Sequence, residues 1–297
     1  MKYWSLFLIC SLLYAGTLFG AVDINGAVDT RLEITDFKDM MFILHGAELN
    51  IKYTYANESG DRLLAFVQIP YSTHFKTDMF LEHYGDAYLI VKGSLKQPNI
   101  RIGRFDIPFG LIKNFDSHTT LLQQLFYKSL GIKKDIGAEV FGFYKMFTYD
   151  ISFTQGFNSF QKPRNDHPIT LRLGLDNDAV KLGISYYNAV HTMGDMGEMK
   201  RVCIDIEKNI NPLILRAEAM LGDNPIGKGF NVMIDFPCFF GIEGRGAGLI
   251  WKENTTYQAY GLEFRKEISF LTIGLGFTQT REVTTKNQLV LQTIVKI

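Results

Sequence analysis

The feature that most constrains this chain is an alternation of apolar and polar residues with a period of two, repeated along almost its whole length. In the first such run the two parities separate into Val22, Ile24, Gly26, Val28, Thr30, Leu32 and Ile34 against Asp23, Asn25, Ala27, Asp29, Arg31 and Glu33. Successive side chains of a β-strand point to opposite faces, so this run predicts a strand with one apolar and one polar face. The pattern returns at Phe42–Tyr55, Pro168–Asp176, Ala179–Asn188 and Asn287–Ile297. The chain is therefore predicted to be all-β.

Sixteen segments of this kind can be placed along the chain, and the even number is typical of a closed antiparallel barrel. The least regular pair lies within Phe230–Trp251, so fourteen strands is the alternative. The fourth segment is placed at Leu81–Lys92. Short turns such as Asp176–Asp178 alternate with longer connections such as Ser72–Phe80, and we expect this alternation to hold through the whole chain.

Alternation over this length indicates a barrel whose apolar face lies outside, in a lipid bilayer. After the first twenty residues there is no uninterrupted apolar run of about 18 residues that could cross a membrane as a helix, although 46% of the chain is hydrophobic. A soluble barrel would need an interior far larger than a domain core, and two soluble domains would need a linker. In lipid every backbone group must be paired, and strands achieve this only in a closed barrel. The prediction is a transmembrane antiparallel up-and-down β-barrel.

The polar parity is expected to face a wet lumen. A basic side chain on the lipid face costs about 2–4 kcal/mol at the bilayer midplane. We therefore place Lys52, Arg172, Lys181 and Arg216 inside the barrel.

The N-terminus predicts an export signal. Lys2 is followed by an apolar segment from Tyr3 to Phe19 and then by small residues, which favours a secretory signal peptide over residues 1–20 rather than a membrane anchor. Cleavage would leave residues 21–297 as a single barrel domain of 277 residues, with 30 basic side chains, once Lys2 is removed from the 31, against 31 acidic ones. This balance gives no reason to expect nucleic-acid binding, and a disulfide between Cys203 and Cys238 is not expected.

The stretch Ile100–Gly110 stands out because a strand-like run ends at Pro108 and a long polar segment follows. Pro108 has no N–H to offer a neighbouring strand, so pairing is expected to stop there. The apolar parity also changes at Gly103–Arg104, which predicts a β-bulge. We expect Phe109–Lys134 to form the third outer loop and to fold into the barrel.

Around this stretch the sequence resembles the phosphate-selective porin (O/P-type) family and its wider porin relatives. The resemblance covers about Asp86–Asn158, and the segments that carry it are Arg101–Phe105, Pro108–Gly110, Leu125–Lys128, Asp135–Gly137 and Thr154–Asn158. It implies an outer-membrane, porin-like channel that assembles as a homotrimer. Lys128 occupies a position that the family usually fills with arginine, and it keeps the charge without the bidentate geometry. The resemblance therefore implies a channel more firmly than a particular solute.

The predicted loop is basic, which favours anions if it narrows a pore. It carries Lys113, Lys128, Lys133 and Lys134 against Asp116. Our candidates for a pore constriction are Arg104, Lys113, Lys128 and Arg172.

The sequence predicts a passive channel and not an enzyme. There is no G-x-S-x-G motif, and the six histidines have no spacing typical of a metal site, so no catalytic residue, metal or cofactor is expected. The expected partners are outer-membrane lipid and lipopolysaccharide, the barrel-insertion machinery, further copies of the chain, and small solutes or anions. The alternative is a closed or plugged barrel with a structural or surface-interaction role.

Overall fold

A computed structural model describes residues 20–57, 60–71, 85–93, 97–111, 120–122, 128–156, 167–177, 179–189, 198–223 and 226–297. The signal peptide predicted over residues 1–20 lies almost wholly outside the described residues. The described residues form sixteen strands and a short 3-10 helix, Phe239–Gly241. The strands are β1 (Ala21–Thr35), β2 (Asp39–Asn57), β3 (Gly60–Tyr71), β4 (Ala87–Val91), β5 (Asn99–Asp106), β6 (Lys134–Tyr144), β7 (Phe147–Thr154), β8 (Ile169–Asp176), β9 (Val180–Ala189), β10 (Met199–Ile210), β11 (Leu213–Asp223), β12 (Gly227–Pro237), β13 (Glu243–Lys252), β14 (Thr256–Ile268), β15 (Leu271–Arg281) and β16 (Thr285–Lys296).

The strand count of sixteen is confirmed, because the weak pair within Phe230–Trp251 corresponds to β12 and β13. β4 is shorter than predicted and begins at Ala87. Residues 81–84, which we assigned to the same strand, lie outside the described residues.

The strands form one closed antiparallel barrel in which each strand pairs with its neighbours along the chain. β1 and β16 close it through nine paired positions, from Ala27 with Lys296 to Thr35 with Gln288. Beyond this ladder, Ile297 N–H donates to Gly26 O at 2.8 Å, and Gly26 N–H donates to Ile297 O at 2.9 Å. Closure leaves no unpaired sheet edge, as a barrel in lipid requires.

No helix among the described residues is long and apolar enough to cross a membrane.

The two faces of the wall have the polarity expected of a membrane barrel. On β8, Leu173 is 61% exposed, whereas the next inward positions, Thr170 and Arg172, are 0% and 8% exposed. The face that carries the exposed apolar residues is the outer face, and the opposite face, which carries charged side chains, is the inner face. Of the basic residues placed inside from the sequence, Arg172, Lys181 and Arg216 lie on the inner face in ion pairs with acidic partners.

The connections differ in length between the two ends of the barrel and between its two halves. The long connections are 72–86, 107–133, 155–168 and 190–198, and all lie at one end, which we call the loop end. The predicted alternation of short and long connections through the whole chain is wrong. Connections 36–38, 224–226, 253–255 and 282–284 also lie at the loop end but have three residues each. Alternation of side chains fixes the strands, but it does not determine how much chain joins them.

The β-bulge predicted at Gly103–Arg104 is not found. β5 pairs with β4 and with β6 in continuous register through both residues, and the register shifts lie at Asp29/Thr30 and Tyr55/Ala56. Gly103 has φ 131°, and a Cβ there would lie 2.2 Å from Ala87 O. The apolar parity changes because Phe105 lies on the inner face with Arg101 and is fully buried there.

Candidate functional site: a connection on the inner wall

The connection between β5 and β6, residues 107–133, is described at 107–111, 120–122 and 128–133, and these residues lie against the inner face of the barrel. Its first part leaves β5 and meets the inner faces of β9 and β11 through two hydrogen bonds. Gly110 N–H donates to Ser185 Oγ at 3.1 Å, and Leu111 N–H donates to Glu218 Oε2 at 3.2 Å. A polar inner wall therefore supplies acceptors for backbone donors that have left the β-ladder.

Gly110 is required by the closeness of this approach. Its φ is 54°, in the left-handed region, where a side chain is unfavourable. A Cβ at this position would lie 2.8 Å from Glu218 Oε2 and 3.1 Å from Cys203 Sγ. Glycine thus allows the connection to lie directly on the wall.

Apolar packing surrounds these hydrogen bonds. Ile107 and Phe109 are fully buried, and the Phe109 and Tyr187 rings meet edge to face at 6.3 Å. The buried cluster joins the connection to inner-face residues of β9, β10, β11, β13 and β14: Ile107, Phe109, Leu130, Tyr187, Ala189, Cys203, Met220, Leu249, Trp251, Tyr257 and Ala259. This cluster forms an apolar core inside the barrel, among inner-face positions that also carry charged side chains.

The middle of the connection meets β14 and β15. Leu121 N–H donates to Glu263 Oε2 at 2.6 Å, and Thr120 Oγ1 donates to the same oxygen at 3.3 Å. Here the wall carries glycines: a Cβ at Gly261 would lie 2.5 Å from Leu122 Cδ2, and one at Gly276 would lie 2.7 Å from Leu121 Cδ1. Small residues on the wall make room for the two leucines.

The returning part of the connection is held by side chains near the loop end. Lys128 Nζ lies 3.7 Å from the Tyr257 ring centroid and 3.4 Å from Glu282 Oε2. Ser129 Oγ contacts Met220 Sδ, and its carbonyl oxygen accepts a hydrogen bond from Arg201 Nε at 3.3 Å. Most described contacts of the three parts fall on β9–β15; the exceptions are Lys128 with Glu282, in the turn after β15, and Lys133 with Asp106 on β5.

A continuous series of ion pairs crosses the inner faces of β9–β14. We call it the ion-pair belt, and its members in order are Lys181, Glu207, Arg216, Asp235, Arg245 and Glu263. Most members have two oppositely charged neighbours. For example, Arg245 Nε lies 2.5 Å from Asp235 Oδ1, and Arg245 Nη1 lies 3.3 Å from Glu263 Oε1. Since Glu263 also binds Leu121, the belt ends at the middle of the connection.

The constriction candidates predicted from the sequence lie in separate environments. Arg172 pairs with both carboxylate oxygens of Asp205 and donates to Ser185 Oγ at 3.1 Å, so it supports the hydroxyl that holds Gly110. Arg104 is buried at the loop end of β5 and donates to Gly85 O at 2.8 Å. Lys128 lies near Glu282, as described above. Lys113 lies outside the described residues.

Sequence reasoning did not identify the acidic residues that hold the connection, Glu218 and Glu263. Both lie on the polar parity of predicted strands, but we used that pattern to place only basic residues inside the barrel. The parity shows that a carboxylate faces inward. It does not show which backbone N–H the carboxylate accepts, because Leu111 and Glu218 are 107 residues apart.

Comparison with known proteins shows which solved structures share the fold of this chain. No family model matches the chain, and no curated protein matches it. Among solved structures, the anion-selective porin from Comamonas acidovorans aligns with a TM-score of 0.75 and 9% identity, over 94% of this chain and 100% of that one. The chain has the porin fold. Salmonella typhi OmpF in complex with daunomycin gives a TM-score of 0.72 and 13% identity, over 93% and 97% of the two chains. The trimer form of OmpT from Vibrio cholerae aligns with a TM-score of 0.71 and 12% identity, over 94% of this chain and 100% of that one.

These matches refine the resemblance inferred from the sequence. The neighbours are porins, so the wider porin relation holds for the fold. The narrower resemblance to phosphate-selective O/P-type porins is not confirmed, since no family model matches.

Proposed function

We propose that this protein is an outer-membrane porin that forms a water-filled channel for passive diffusion of small hydrophilic solutes or ions. The observation that carries the proposal is the charged inner face of a closed barrel that has the porin fold. Charged side chains are stable there only where water or partners solvate them. In this view the loop end is outside the cell, and the β5–β6 connection narrows the channel.

The position of the connection supports an open channel over a plugged one. Most contacts of its described residues fall on β9–β15, so these residues lie against that part of the wall. At the end opposite the loop end, two recesses of about 390 and 380 Å³ open beside the wall. Asp235, Arg245 and Glu263 line the first, and Asn25, Glu48 and Asn50 line the second.

Reconstitution in planar bilayers tests the channel. Purified protein that shifts on heating in a gel, as a folded barrel does, is expected to produce discrete conductance steps. If it inserts without steps and sealed liposomes stay impermeable to small ions, the protein is a closed or plugged barrel.

We further propose a mild anion preference, with Lys113 as its main source on the connection. Lys128, Lys133 and Lys134 are paired with Glu282, Asp106 and Asp86, so a count of loop lysines overstates the field. The zero-current potential in a salt gradient is expected to shift toward cations in Lys113→Glu and to shift less in Lys128→Glu. An unchanged zero-current potential in Lys113→Glu would show that the connection does not select between ions.

We also propose that the protein is exported with cleavage near Gly20 and assembles as a homotrimer in outer-membrane lipid and lipopolysaccharide. The trimer form of OmpT motivates the assembly. Light scattering of the detergent-solubilised protein checks the number of chains, and N-terminal sequencing of the membrane-derived protein checks the cleavage site. A monomer, or a mature chain that retains its first residues, would contradict the respective part.

A further inference from the structure

The inner faces of β3–β6 carry a row of aromatic rings around one arginine, which we call the aromatic row: Phe66, Tyr88, Arg101, Phe105 and Phe141. The Phe66 and Tyr88 rings stack with centroids 5.4 Å apart. The guanidinium carbon of Arg101 lies 5.1, 5.4 and 4.9 Å from the ring centroids of Tyr88, Phe105 and Phe141. Phe66, Tyr88 and Phe141 are each only partly buried, so the row offers aromatic surface to the lumen.

Next to the row lies a group of planar polar side chains, which we call the amide shelf: Asn25, Glu48, Asn50 and Gln68. Asn50 Nδ2 donates to Asn25 Oδ1 at 3.2 Å and to Glu48 Oε1 at 3.1 Å, and Gln68 Nε2 donates to Glu48 Oε2 at 2.6 Å. On β3, Gln68 is two residues from Phe66, so the two side chains lie on the same face. Asn25, Glu48 and Asn50 also line the recess of about 380 Å³, a volume within the range of small-molecule sites.

Within the shelf and the row themselves, two buried side-chain atoms lack a hydrogen-bond partner among the described residues. One is an acceptor, Asn50 Oδ1, on the shelf, and the other is a donor, Arg101 Nε, in the row. A ligand that satisfies both must donate at one place and accept at another. Hydroxyl groups do both.

The charge of the row does not favour an ion. Arg101 Nη1 lies 3.2 Å from Glu139 Oε2, so its charge is balanced by a carboxylate. A pyranose ring is neutral, has a flat face of C–H groups that stacks on aromatic rings, and carries hydroxyls around its edge. From β2 to β5 there are three strand spacings of about 4.8 Å, or roughly 14 Å in all, which a short oligosaccharide can span.

We propose that the aromatic row and the amide shelf together form a binding subsite for neutral sugars inside the channel. Sugar rings stack on Phe66, Tyr88 and Phe141, and their hydroxyls bond to the shelf. This inference rests on the proposed channel, for which it names a class of solute.

Maltotriose and sorbitol are the probes that test the proposal, because sorbitol carries hydroxyls without a ring. Binding to the detergent-solubilised protein is measured by saturation-transfer NMR, which does not depend on conductance. Current block by the same compounds is measured in planar bilayers. Maltotriose is expected to give saturable binding and saturable block, and sorbitol neither. Saturable binding without any channel would contradict the proposed function while leaving the subsite intact.

Variants locate the site. Phe66→Leu combined with Phe141→Leu removes two rings and is expected to weaken maltotriose binding by about tenfold or more. Phe230→Leu, a ring on the outer face that is 49% exposed, is the matched control and should bind as the native protein does. The proposal is overturned if maltotriose and sorbitol act alike, if binding survives loss of both rings, or if the ring compound p-nitrobenzoate binds there and maltotriose does not.

Discussion

Single residues decide where the β5–β6 connection lies. Gly110 meets the wall at a distance that leaves no room for a side chain, and Cys203 lies directly beneath it with its thiol fully buried. The accessibility of that thiol therefore reports whether the connection is in place. Among the described cysteines only Cys238 could also react, so Cys238→Ser provides the background for a labelling experiment.

In that background we expect Gly110→Ala to expose Cys203. The left-handed backbone costs an alanine about 1–2 kcal/mol, and the Cβ contact with Glu218 adds to this. A cost of that size raises the open population about 5–30-fold, so maleimide labelling of Cys203 should accelerate by at least that factor.

Two other glycines serve as controls that separate backbone strain from the steric clash of the added Cβ. Gly131 also has a positive φ, 71°, but a Cβ there meets nothing within 4 Å, so Gly131→Ala introduces strain without a clash. Gly246 has neither constraint, and Gly246→Ala should label at the native rate. Equal rates in all three variants would mean that Gly110 does not hold the connection on the wall.

Asp235 and its partner Arg245 are the members of the ion-pair belt at which removal of a negative or a positive charge is most informative. Asp235 lies between Arg216 and Arg245 and borders the recess of about 390 Å³. A unit charge in water changes the energy of an ion at 4 Å by about 1 kcal/mol. Asp235→Asn should therefore raise the anion-to-cation permeability ratio severalfold, and Arg245→Gln should lower it. Zero-current potentials in a KCl gradient measure both, and shifts of the same sign would show that the belt does not face the permeating ions.

At the level of elements, the barrel wall and the connection fit each other as complementary surfaces. The wall contributes carboxylates that accept hydrogen bonds and glycines that leave room for side chains. The connection contributes the backbone N–H donors and the leucine side chains that fit them. Leu121 illustrates both kinds of contact, since its N–H binds Glu263 and its side chain packs on Gly276.

A cross-link tests this placement. The Cβ of Leu121 lies 3.1 Å from the Cβ position at Gly276, slightly less than the separation of about 3.5–4.5 Å at which disulfides usually join Cβ atoms, so a shift of a few tenths of an ångström suffices. The double variant Leu121→Cys and Gly276→Cys, in the Cys238→Ser background, should oxidise readily with mean conductance unchanged, because the bond fixes an arrangement already present. Mass spectrometry identifies the bond. The pair Leu121→Cys and Gly246→Cys, which places the second thiol on the outer face, should not form it, and an unlinked first pair would contradict the placement.

The elements were predictable from sequence to different degrees. The strands follow from alternation, because a period of two has a direct structural meaning. The sequence correctly shows that the apolar parity changes after Gly103, but the β-bulge that we inferred from this change is wrong. Phe105 keeps the inner orientation of Arg101, as their 5.4 Å contact shows, and its side chain is fully buried. Only the packing of the folded barrel reveals this burial.

At the scale of the whole molecule, the barrel depends on β16, the strand that closes it against β1. The last residues of β16 pair with β1 on one side and with β15 on the other, as in Val295 with Val28 and Leu271. Ile297 adds two further hydrogen bonds to Gly26. The terminus thus contributes through its backbone more than through the Ile297 side chain, which is 80% exposed.

Removing Val295–Ile297 is expected to lower barrel stability. Several backbone hydrogen bonds, each with a net value of about 0.5–1.5 kcal/mol, would be lost, for a total of a few kcal/mol. The midpoint of the heat-induced gel shift, measured on protein refolded in detergent, should fall. Ile297→Phe keeps the backbone and should leave the midpoint unchanged, and an equal midpoint for the truncated chain would show that closure does not depend on these residues.

The inward course of the β5–β6 connection has a consequence for the order of folding. Its partners follow it in the chain at separations of 75, 107 and 142 residues, whereas side chains across the closing seam are 263 residues apart. Joining distant segments costs more chain entropy as the intervening length grows. Loop-closure entropy therefore favours docking of the connection before closure, and we expect the growing sheet to curl around a segment that it already holds.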